Sequence, residues 1–145
     1  MRYKKGFTLI ELLVVVAIIS LLSSIVFASL SGGRDKAKDA NVKANLNNAR
    51  TIAAFYYDTN GNYGPVTSVC AGVFFLSPSM SAINVSMFNA TGTGDYCVSN
   101  STNYAYGHAL KTNSAFGWCV DSNGSSKQAT TATLAALTSA SPVCP

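Results

Sequence analysis

Lys4-Lys5-Gly6-Phe7-Thr8-Leu9-Ile10-Glu11 opens an apolar run that continues to Leu30. From Phe7 to Leu30 there are 24 residues, and the one charged side chain among them is Glu11. A helix of that length is about 36 Å long, enough to cross a hydrocarbon core of about 30 Å. Arg2, Lys4 and Lys5 precede the run, and the next basic residue is Arg34. The positive-inside rule then puts the N-terminus in the cytoplasm and residues 31–145 across the membrane. A secretory signal would have a shorter apolar core with a small-residue cleavage site behind it.

Glu11 is out of place by composition. A carboxylate in a membrane segment costs about 2.5–3.5 kcal/mol on insertion scales, so it asks for a partner. Cleavage after Gly6 would create one, the free amine of Phe7. The bland reading is a glutamate near the helix end that reaches the headgroups.

Gly6-Phe7-Thr8-Leu9-Ile10-Glu11, behind a basic leader and ahead of an unbroken apolar run, resembles the prepilin signature of type IV pilins and type II secretion pseudopilins. The match is contiguous from Lys5 to about Ile19. The resemblance implies that a prepilin peptidase cuts between Gly6 and Phe7 and that the Phe7 amine is methylated. It implies that Glu11 pairs with the N-terminal amine of a neighbouring copy during assembly. The other implied partners are an assembly platform and, before assembly, the membrane; afterwards the subunit is extracellular in a filament. The implied fold is α+β: a long N-terminal helix packed on a small antiparallel sheet with disulfides. The expected division is a leader at 1–6, a helix at 7–57 (transmembrane to 30, amphipathic from 31) and a head at 58–145. Many pilins carry a proline within the membrane helix, whereas the first proline here is Pro65.

The formal net charge of +4 owes three of ten basic residues to the leader. Without them seven basic face six acidic side chains, so the charge is a topology signal more than a nucleic-acid footprint. Cys70, Cys97, Cys119 and Cys144 all follow the membrane segment. An even count in an exported head argues for disulfides, and three pairings can be drawn. Cys70–Cys97 with Cys119–Cys144 is favoured, because it closes two moderate loops and ties down the C-terminus. Neither a metal-ligand spacing nor a cofactor motif is present.

Ser31-Gly32-Gly33 predicts a weak point or short hinge, since each glycine costs about 1 kcal/mol in a helix. Beyond it Val42, Leu46, Ala49, Ile52 or Ala53, and Tyr56 form one apolar stripe. Lys36, Lys38, Asp39, Lys43, Asn47 and Arg50 read as the solvated remainder. Asp58-Thr59-Asn60-Gly61 lacks calcium-loop spacing and reads as a turn. Residues 66–95 read as a long irregular loop, with core at Val73-Phe74-Phe75-Leu76. Strands are expected at residues 103–111 and 115–121, with a third short one near 127–131. The tail at 142–145 looks held by its cysteine alone.

His108 is the one histidine, and the head acids Asp58, Asp95 and Asp121 sit in no catalytic motif. No enzyme is expected. The alternatives to a pilus subunit are a pseudopilin of a secretion or DNA-uptake machine, and a minor pilin that binds DNA or a surface.

Overall fold

The computed structural model describes residues 6–145, apart from the side chains of residues 28 and 29. Arg2, Lys4 and Lys5 lie outside the described residues. Helix α1 runs Leu9–Asn60 without a break. Gly32 and Gly33, where a weak point or short hinge was expected, are both helical, with nothing beyond their own helix within 4 Å of where a Cβ would stand. Helix propagation is cooperative, and two glycines do not offset long helical runs on either side. The helix also ends at Asn60 and not at Tyr57. Gly61, at φ 72°, takes the left-handed position there, and its N–H caps the Tyr57 carbonyl at 2.7 Å.

The chain divides into two units, one ending at Arg34 and one beginning at Asp35. In the first, the large apolar side chains from Leu9 to Leu30 are 46–82% exposed. A helix that is apolar all round and unburied belongs in another apolar medium. Its length and composition suffice to cross a membrane. Ser20 and Ser24 donate their hydroxyls to the carbonyls of Val16 and Leu21, at 2.7 and 2.8 Å, so neither hydroxyl is left bare in the apolar run.

In the second unit the strands are β1 (Asp95–Ser99), β2 (Tyr104–Ala109), β3 (Phe116–Asp121) and β4 (Ser126–Thr130). They form an antiparallel meander in chain order. The stripe Val42, Leu46, Ala49 and Ala53 is fully buried, in one cluster with Tyr104, Tyr106 and Val120. Helix α2, Pro78–Thr91, adds Met80, Ile83 and Met87 to this cluster. It stands where an irregular loop was expected. Pro78 opens it, where a missing N–H is harmless, and Gly92 closes it at φ 72°. Asp95–Ser99 is likewise a strand in place of that loop. Phe74 and Phe75 are core as expected, but Val73 and Leu76 are 59% and 61% exposed.

The sheet's other face carries a smaller cluster of Cys119, Ala129, Leu134 and Cys144. Leu134 comes from the short helix α3, Thr131–Ala135, whose N-cap Thr130 accepts from the Thr133 N–H at 3.1 Å. Leu134 lies so close that a Cβ on Gly117 would stand 2.5 Å from its Cδ1 and 2.7 Å from the His108 carbonyl oxygen. Period-two alternation thus puts Trp118 toward α1 and Cys119 toward α3.

Disulfides Cys70–Cys97 and Cys119–Cys144 are present, the pairing favoured from spacing. The first ties the connection after α1 to β1, and the second ties the tail to β3. The tail is held by more than its cysteine. The Cys144 N–H donates to Asp121 Oδ2 at 2.9 Å, and Pro142 is fully buried.

Candidate functional site

Residues 6–8 are non-helical and exposed. Gly6 has open space around it, and the Phe7 ring is 79% exposed. The Gly6–Phe7 peptide bond therefore lies in accessible chain just ahead of a helix. Thr8 and Glu11 then close a reciprocal cap. The Thr8 N–H and hydroxyl donate to Glu11 Oε2 at 2.9 and 2.7 Å, and the Glu11 N–H points at Thr8 Oγ1 at 3.3 Å. This is a capping box, Thr-x-x-Glu, which satisfies donors that a helix start leaves orphaned. The Thr-x-x-Glu spacing alone marks the role of Thr8, which the charge of Glu11 overshadows.

The four cysteines belong to the second unit and brace the head. Two further polar clamps there involve residues that carried no motif. Asp121 is 1% exposed and accepts from the N–H groups of Asn123 (3.0 Å), Ser125 (2.9 Å) and Cys144 (2.9 Å). Burial pushes its pKa up, but these backbone donors and Ser125 together outweigh that and hold it below the usual value. Asp39, read as part of a solvated face, is 6% exposed and accepts from the N–H groups of Lys111 and Thr112 and the Thr112 hydroxyl. An acid on the rim of the apolar stripe is thus used to seat the β2–β3 turn.

His108 is fully buried. Its Nδ1 lies 2.6 Å from Asp95 Oδ1 and its Nε2 2.7 Å from Thr91 Oγ1. The order hydroxyl, imidazole, carboxylate matches a hydrolytic triad in distance. The Thr91 hydroxyl, however, is buried and donates to the Met87 carbonyl at 3.1 Å. The trio links the end of α2 to β1 and β2.

Residues 1–27 match the family model described as the prokaryotic N-terminal methylation motif. The chain is 36% identical over 99 residues to the type IV wide pilus major component PilA4 of Thermus thermophilus, covering 68% of this chain and 73% of that protein. The chain belongs to the type IV pilin family. No solved structure matches it. As a type IV pilin it is a structural protein by family, and its α+β fold follows the expected plan: apolar N-terminal helix, four-stranded antiparallel sheet and two disulfides.

Proposed function

We propose that this pilin is a structural subunit of a type IV pilus filament, assembled through α1 after removal of residues 1–6. A prepilin peptidase hydrolyses the Gly6–Phe7 bond, and the new Phe7 amine is methylated. Before assembly the apolar helix spans the membrane with its N-terminus cytoplasmic. After extraction by an assembly platform the helices line the filament and the heads face outward. The observation that carries this reading is the N-terminal constellation: an exposed Gly6–Phe7 bond, a carboxylate at Glu11, and an unburied apolar helix behind them.

The physics supports an assembly role for Glu11. A lone carboxylate and a lone ammonium are each costly in lipid, and joining them removes much of that cost. Within a single chain Glu11 already engages Thr8, so the N-terminal amine of an incoming neighbour adds the one partner with a full opposite charge. Van der Waals packing between apolar helices supplies the rest. The buried Thr91–His108–Asp95 trio serves this role as a brace, not as a reaction centre.

The test is the mass of the N-terminal peptide of protein recovered from filaments of the source organism. A peptide beginning at Phe7 with one added methyl group is expected. A peptide beginning at Met1, or near residue 30, would overturn the proposal.

A further inference from the structure

In the unit beginning at Asp35, almost every acid among the described residues is already engaged. Asp35 faces Lys38 at 3.4 Å, Asp39 seats the β2–β3 turn, Asp95 holds His108, and Asp121 is ringed by backbone N–H groups. Asp58 is the exception: it is exposed, and among the described residues it has no hydrogen bond or ion pair. The cations divide the same way. Lys38 has Asp35, Lys43 lies over the Trp118 ring at 4.7 Å, and Lys111 donates to the Thr91 carbonyl at 3.0 Å. Lys36 and Lys127 are exposed, and water satisfies them.

Arg50 differs from all of these. Its side chain is half-buried at a cleft of about 210 Å³ lined also by Tyr63, Tyr104 and Ser122. Among the described residues no carbonyl or carboxylate accepts from its guanidinium. A planar fork of five donors, partly withdrawn from water and without an acceptor, is built for a carboxylate brought from outside. Asp121 also lines the cleft, but it is 1% exposed and its oxygens are occupied by the backbone.

Arg50 and Asp58 stand eight residues apart on α1, about 12 Å along the axis. Between them Phe55 is 69% exposed, and Thr51, Ala54, Phe55 and Asp58 line a shallow groove of about 420 Å³. One copy therefore presents an aromatic knob beside a free acid, and a tyrosine-walled cleft beside a free cation. We propose that Phe55 and Asp58 of one pilin dock at the Arg50 cleft of a second copy, with the Asp58 carboxylate on the guanidinium. The Phe55 ring then packs toward Tyr63 and Tyr104, as buried aromatic anchors do at interface centres. Between parallel helices Asp58 of one copy meets Arg50 of the next, so the contact is heterologous and propagates from copy to copy in one direction. For parallel helices it also sets an axial step of about 12 Å between touching copies. The inference rests on the filament reading above and names a contact within it.

The test is charge reversal in the full-length protein, in cells of the source organism. Arg50→Asp and Asp58→Arg are each expected to lower the yield of sheared filaments about tenfold, and the double swap to restore it to within about twofold of wild type. Cleaved subunit in the membrane is measured alongside and is expected to stay at the wild-type level. Wild-type yield from either single variant overturns the contact. So does a double swap no better than the worse single variant. A loss with Arg50→Asp alone would mean that the cleft takes another anion, such as a nucleic-acid phosphate, and also overturns it. If a reversal depletes the subunit itself, Arg50→Gln and Asp58→Asn carry the test. Each lowers yield, and the pair together loses no more than the larger single effect, because both remove one contact. Additive losses overturn the proposal. Absence of filaments from wild-type cells would overturn the filament reading instead, which separates the two failures.

Discussion

The two ends of this pilin are specified in opposite ways. The N-terminal segment is local: its features lie between Gly6 and Leu30, and its apolar side chains face outward, awaiting lipid or other copies. The head is non-local. Asp39 meets a turn 72 residues away, the Cys119–Cys144 bridge spans 25 residues, and Asp121 holds the N–H of Cys144. A segment read by a peptidase and a membrane must be recognisable before anything folds, so short-range pattern suffices. A small head braced by two disulfides must resist unfolding by itself, so its information lies in pairs of residues distant in sequence.

The largest expected break in that comparison is at Gly6. Gly6→Val puts a branched side chain beside the scissile bond and is expected to abolish processing, read as a full-length chain starting at Met1. The thermal unfolding of the head in the detergent-solubilised chain should not move. Next in size is the disulfide at the tail. Cys119→Ser with Cys144→Ser is expected to cost the head about 2–5 kcal/mol while leaving cleavage at Gly6–Phe7 intact. An unchanged melting temperature in that variant would show that Asp121, Pro142 and the α3 cluster hold the tail without the bridge.

What could be read directly follows the same division. The apolar stripe of α1, strands β2 and β3, the turn between them and the disulfide pairing were all legible, because each rests on periodicity or spacing. Helix α2 was not read, although Pro78, the Met80–Ile83–Met87 spacing and Gly92 mark it. Its serines and asparagines, five of its 14 residues, are turn-formers and mask those signals. Strand β1 is short, and its pattern makes sense only beside β2, where Cys97 faces Tyr106. Asp39 and His108 were beyond reach for another reason. Each is polar in an element whose own pattern says surface or strand, and only the approach of a distant turn or helix end makes its burial tolerable. At the N-terminus the charge of Glu11 is the stronger signal, and it hides the Thr8–Glu11 box within the same four residues.

The smallest expected effect tests whether the head's polar clamps act as electrostatic devices or merely fill space. Asp121→Asn keeps the shape of the side chain but replaces one acceptor oxygen with a donor that faces another donor. The loss is expected to be about 1–3 kcal/mol at neutral pH, the cost of leaving a buried N–H unpaired. The pH dependence carries the sign. The carboxyl has a lower pKa in the folded head than in the unfolded chain, since the N–H groups of Cys144, Ser125 and Asn123 outweigh its burial. Its stabilisation is therefore fully present above its unfolded pKa, about 3.9, and is lost as pH falls through the folded value. Thermal unfolding of wild type and Asp121→Asn should differ most near pH 6–7 and converge as the solution is acidified below about pH 4. A gap that stayed constant over that range would mean that Asp121 holds the tail through shape and neutral hydrogen bonding. The head's long-range pairs would then be steric fits, and the contrast with the charge-dependent N-terminus would be sharper still.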